Sequence, residues 1–147
     1  NQPLEQSNAL AQSERLKERT LVFSVAVLRL IDQLPRTPAG DVIARQIAKS
    51  ATSVAANYRA ACTARSKPEF ISKLCTVVEE AEESVYWLDV IIRTELIAHE
   101  RVAPMQREAT ELRAIFARSL GTARLNLRNT KSTNQSINQS INQSMTR

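Results

Sequence analysis

The densest group of side chains able to move protons or hold a cation is Glu79, Glu80, Glu82 and Glu83, four carboxylates within five residues. Paired carboxylates on helices can do acid–base work or hold two metal ions. In helical bundles that chemistry takes a Glu from each of two helices and a Glu-x-x-His from each of the other two. Here His99 is the single histidine, and it falls near a turn. The carboxylates are therefore read as ion pairs, either on a solvated helix face or against a neighbouring subunit, with Glu80, Glu83 and Trp87 as candidate interface residues. Cys62 and Cys75 form no close-spaced pair and read as reduced thiols. Two glycines in the whole chain leave no phosphate-cradling loop, and no nucleophile–base pair stands out. The expectation is a non-enzyme, with no catalytic residue, no metal and no cofactor.

The second kind of chemistry is electrostatic. The net charge is +5, and the cations are unevenly spread. Residues 42–73 carry six basic side chains against Glu69 alone; residues 79–100 carry seven acids against Arg93 alone; residues 101–128 carry six arginines against Glu108 and Glu111. Basic stripes can track phosphates by charge. They can equally be ordinary solvated faces. The candidate nucleic-acid residues are Arg45, Lys49, Arg59, Arg65, Lys67, Arg118 and Arg124. Aromatic residues make up only 4% of the chain. With so few stacking groups interleaved, any binding should be weakly sequence-specific.

Four helices must position these groups. Residues 13–34 read as a helix through Leu16, Thr20, Phe23, Val27, Leu30 and Leu34. Its middle, Leu21 to Ile31, has only Ser24 and Arg29 as polar residues. A helix apolar nearly all round is covered on more than one face, so Leu21, Val25 and Leu28 are candidate subunit contacts. A second helix, residues 38–64, starts at Thr37 as cap and Pro38 in its first position. Its inward stripe is Ile43, Ile47, Ala51, Val54, Tyr58 and Ala61, with Arg45, Lys49 and Arg59 opposite; Asn57 at the stripe's edge is expected to hydrogen-bond across the bundle. A third, residues 67–97, opens on a capping box of Ser66 and Glu69 with Pro68 in the first turn. Its expected core stripe is Phe70, Leu74, Val77, Ala81, Val85, Leu88 and Ile92. A fourth begins between His99 and Pro104 and runs to about residue 125, with Met105, Leu112, Ile115, Phe116 and Leu120 inward.

The expected fold is all-α, an antiparallel up-down four-helix bundle over residues 13–128, preceded by an extension at residues 1–12. Residues 129–147 contain tandem Asn-Gln-Ser-Ile units. In frame, that unit is repeated AATC in DNA, which suggests the hypothesis of a translated simple-sequence repeat; codons of another spelling would remove it. This segment is too polar to fold alone and is expected to be a disordered tail. No apolar run reaches the roughly 18 residues of a membrane span, so the expected setting is cytoplasmic, with no membrane partner.

The runs "LPRTPAGDVIARQIAKSATSVAANYRAACTARSKPEFISKL", "VVEEAEESVYWLDVI" and "ELRAIFARSLGTAR" resemble the bacterial four-helix-bundle proteins first noticed as products of intervening sequences in large-subunit ribosomal RNA genes. The likeness spans roughly Leu16 to Arg124. It implies a homo-oligomer, a pentamer in family members of known structure. The family also resembles the basic accessory protein of diversity-generating retroelements. That likeness implies RNA or DNA as a ligand and a nucleic-acid-processing partner such as a reverse transcriptase. The function expected is an oligomeric ribonucleoprotein or nucleic-acid scaffold; the alternative is a protein-interaction oligomer that touches no nucleic acid.

Overall fold

A computed structural model describes residues 2–146. It contains α1 (Gln2–Ile31), α2 (Pro38–Cys62), α3 (Lys67–Thr94) and α4 (His99–Met145). Each helix packs against two others. α2 touches α1 and α3, and α4 touches α3 and α1, so α1 and α3 stand at opposite corners, as do α2 and α4. The α1–α4 seam is the sparsest. Short connections make consecutive neighbours antiparallel, giving the four-helix bundle expected.

The helix starts follow local chemistry. Thr37 caps α2 by accepting from the Gly40 amide at 3.1 Å, with Pro38 in the first turn. Ser66 accepts from the Glu69 amide at 3.2 Å, while the Glu69 carboxylate reaches back to the Arg65 amide at 2.8 Å. Each such cap is worth about 1 kcal/mol. The reach of Glu69 is one residue longer than in the usual box. α4 has neither device. Ala98 precedes it without a side-chain cap, and Pro104 sits inside the helix. That is why the sequence left its start open between positions 99 and 104. α3 ends on Glu95 with φ 55°, a left-handed conformation unusual for a side chain other than glycine or asparagine.

The core is a continuous apolar column. Phe23, Val27 and Leu30 of α1, Ile47 and Val54 of α2, Leu74 and Leu88 of α3, and Leu112 and Phe116 of α4 are all buried. Each contributes about 1.5–3 kcal/mol by leaving water. Tyr58 and Phe116, from the diagonal pair α2 and α4, meet at the axis with ring centroids 5.0 Å apart. Burial, with Cys62 beside it, pushes the Tyr58 phenol above its usual value.

Buried polar contacts join the helices. Ser24 donates to the Ala51 carbonyl at 2.9 Å, tying α1 to α2. The Ser84 and Ser50 hydroxyls meet at 3.1 Å, tying α3 to α2. These bonds correct the α3 stripe. From Ala81 the buried line passes through Ser84, Leu88 and Ile91, whereas Val85 and Ile92 are only half-buried. Hydrophobicity points away from a serine; a matched hydroxyl lets one sit in the seam where two helices approach closely. Asn57 also differs from expectation, since its amide donates within its own helix, to the Ser53 carbonyl at 2.9 Å.

The terminal segments differ as well. The extension expected at residues 1–12 is helical from Gln2, and α4 runs on through the Asn-Gln-Ser-Ile repeats to Met145. Residues 128–146 are exposed throughout. Propagating an existing helix adds one hydrogen bond per residue without a new nucleus, and no Gly or Pro interrupts the segment. Ser136 and Ser140 donate to carbonyls four residues back, at 3.1 and 3.0 Å. The last residue of the expected tail, Arg147, lies outside the described residues.

Candidate nucleic-acid interface

Arg45, Lys49 and Arg59 lie on the outer face of α2, Arg65 and Lys67 at the α2–α3 corner, and Arg118 and Arg124 on α4; all seven are exposed. Among the described residues, Lys17 and Arg19 are the only cations within ion-pair distance of a carboxylate. The seven candidates thus keep their charge free. Arg124 instead donates to the Cys75 sulfur at 3.2 Å.

The bundle divides the basic residues. α2 and α4 occupy opposite corners, so their basic faces do not merge into one surface. The α2 stripe is itself split. Glu14 on α1 is held below its ordinary value mainly by the hydrogen bond from Lys17, and in smaller part by the charge of Arg59. Glu80 on α3 is pushed above its ordinary value by burial first and then by the charge of Glu83, with Lys49 pulling the other way. The charge of Arg59 is thus felt on the α1 side of the stripe and that of Lys49 on the α3 side.

The structure brings together a second group that the sequence did not single out. Along the sparse α1–α4 seam, level with the last turns of α2 and the first turn of α3, residues 9–19 of α1 and 115–126 of α4 line an open cleft of about 880 Å³. Leu16, Phe70 and Ile115 form its apolar floor, and Arg15 and Arg118 line its sides. Arg15 was missed because nothing in its own helix distinguishes it from other exposed cations; only the approach of α4 makes it part of a site.

The interface candidates also separate. Leu21, Val25 and Leu28 remain 41%, 38% and 40% exposed, and Val22 beside them 57%. These residues sit on α1. Glu80, Glu83 and Trp87 are half-buried on α3, at the opposite corner. Trp87 donates to Glu83 at 3.3 Å and packs edge-on against Tyr86. One Glu80 carboxylate oxygen is buried with no hydrogen-bond partner.

Among the described residues, no three of His, Cys, Asp and Glu are grouped so as to hold a metal ion. No helix among them is long and apolar enough to cross a membrane.

A protein-family model described as "23S rRNA-intervening sequence protein" matches residues 14–118. A crystal structure from Bacteroides thetaiotaomicron, of a protein of unknown function from the S23 ribosomal protein family, is 35% identical. It aligns over 71% of this chain and 96% of its own, with a TM-score of 0.66. No curated protein matches the chain.

Proposed function

This chain belongs to the 23S rRNA-intervening sequence protein family, and from that premise we propose a non-enzymatic, oligomeric scaffold that associates with nucleic acid through its free cations. The observation that carries this reading is the exposure of Arg45, Lys49, Arg59, Arg65, Lys67, Arg118 and Arg124 with no carboxylate partner among the described residues. A solvated cation without a partner binds phosphate by releasing the counterions around it. Because the basic faces point in different directions, one protomer engages a strand along one face only. An oligomer multiplies that face, and weak contacts add through multivalency.

Assembly is supported by the apolar row Leu21, Val22, Val25 and Leu28, which one bundle leaves in water. That row and the Glu80–Trp87 surface lie on opposite corners. A contact pairing one with the other is head-to-tail, the kind that closes into rings; resemblance points to five copies. A nucleic-acid-processing protein, such as a reverse transcriptase, is the partner class that fits this role.

The test is a salt titration of RNA and DNA binding by the full chain, with light scattering on the same sample. Binding that weakens steeply with salt and varies little between unrelated sequences supports the reading. An intact oligomer that binds neither RNA nor DNA at low salt rejects it, leaving a protein-interaction oligomer held by the same apolar row.

A further inference from the structure

We propose that the cleft between α1 and the C-terminal half of α4 receives one nucleotide of a single strand, its base on Leu16, Phe70 and Ile115 and its flanking phosphates on Arg15 and Arg118. The inference rests on the nucleic-acid reading above and gives it a place. The cleft opens along the sparsest seam of the bundle, where α1 and α4 leave Phe70 at the start of α3 uncovered between them. Its volume, about 880 Å³, is that of a small-molecule pocket. Its floor is three half-buried apolar side chains, one of them aromatic.

The charge is one-sided. Arg15, Arg19 and Arg118 line the cleft, and no Asp or Glu does. Arg19 is engaged by Glu108 and Glu111. Arg15 and Arg118 have no carboxylate partner among the described residues. Gln12 and Asn126, also in the lining, supply both donors and acceptors, which suits any base edge and selects none. A half-buried apolar floor with exposed cations at its margin matches a nucleotide, whose π-face and charge lie on different groups. An acidic peptide would satisfy the arginines but leave the floor uncovered. A duplex keeps its bases stacked inside, so a single strand or a frayed end is the form that can enter.

The experiment is fluorescence anisotropy of the full chain with an end-labelled single-stranded RNA of mixed sequence, its duplex, and the same strand carrying abasic sites. The variants are Arg15→Gln with Arg118→Gln, Phe70→Leu, and Arg45→Gln with Lys49→Gln and Arg59→Gln, each checked for parental helicity and melting. The single strand should bind tighter than the duplex. The abasic strand should bind about fivefold weaker or worse, the scale of losing one stacked base. Arg15→Gln with Arg118→Gln should reduce the salt slope by about 1.4, or 0.7 for each lost phosphate contact. Phe70→Leu should blunt the distinction between intact and abasic strands, and the α2 triple variant should keep it. A double arginine variant that binds like the parent removes the cleft while the general reading stands. Equal binding of abasic and intact strands overturns base insertion, and competition by polyglutamate as strong as by RNA overturns the choice of occupant. A parent that binds no nucleic acid at low salt removes both proposals.

Discussion

Arg19 of α1 and Glu108 of α4 form a two-pronged ion pair, Nε to Oε1 at 2.6 Å and Nη2 to Oε2 at 3.1 Å. A second carboxylate, Glu111, reaches the same guanidinium at 3.0 Å. The pair spans the sparsest seam of the bundle, and the hydrogen bond to Glu108 is the main reason the guanidinium is raised above its usual value. Arg19 is therefore a clasp and not an indifferent surface residue. A double-mutant cycle on Arg19→Met and Glu108→Gln should give a coupling of about 1 kcal/mol, since the groups are partly solvated. The coupling, read from denaturant midpoints, should shrink in high salt. A coupling of zero at low salt would remove the clasp.

Gly40 is needed for space. A Cβ there would collide with the Pro35 carbonyl oxygen, and the Pro35 carbonyl carbon and Thr37 hydroxyl stand at 3.1 and 3.2 Å from it. The obstacle is backbone and cannot swing aside. Gly40→Ala should cost about 1–3 kcal/mol, seen as a lower urea midpoint with an unchanged slope. An unaltered midpoint would mean that the α1–α2 turn relaxes freely.

Glu80 carries a pH signature. Its carboxyl is held above its ordinary value by burial and by Glu83, so the fold binds this proton more tightly than the unfolded chain does. Ionisation thus costs the fold stability as pH rises through the carboxylate range. Glu80→Gln should melt higher than the parent at neutral pH, and the gain should vanish below the ordinary carboxylate value. If the variant instead melts lower at neutral pH and dissociates, a neighbouring subunit supplies a cation closer to this carboxylate than Lys49, which is not within ion-pair distance.

Val25 tests assembly. It is 38% exposed between Leu21 and Leu28, on the surface of α1 away from the core. Val25→Glu should lower the molar mass seen by light scattering and leave the helicity of the protomer in place. A parent that is monomeric at micromolar concentration would defeat the proposal of a homo-oligomer.

The end of α4 should be thermodynamically passive. Residues 129–146 are exposed and contribute no side chain to the core cluster. Removing residues 129–147 should reduce the total helical signal in proportion and leave the melting temperature within a degree or two, as for surface changes away from packed features. A fall of several degrees would mean that this helix docks on another surface.

Much of the architecture was legible because its signals are local. Thr37 with Pro38 and Ser66 with Pro68 mark helix starts within a few residues, and Ile43, Ile47, Ala51, Val54, Tyr58 and Ala61 mark a buried face by spacing alone. Where local signals were absent the sequence bounded less. α4, which has no side-chain cap, starts at the first position of the expected 99–104 window, and the polar repeat offered no apolar period, although its backbone simply continues a helix already nucleated. Relations between distant residues were settled only by packing. Ser84 is core because Ser50 faces it, Arg19 is a clasp because Glu108 does, and Arg15 and Arg118 share a cleft because the α1–α4 seam is the sparsest of the bundle. The sequence by itself determined the helix class, the inward stripe of α2 and the alternation of basic and acidic helices, since these follow from periodicity, capping and charge along one helix. Only the tertiary structure decided that α2 and α4 stand at opposite corners, dividing the basic residues into separate faces. The rotation and order of helices about a common axis depend on side chains far apart in the chain, and no single helix contains that information.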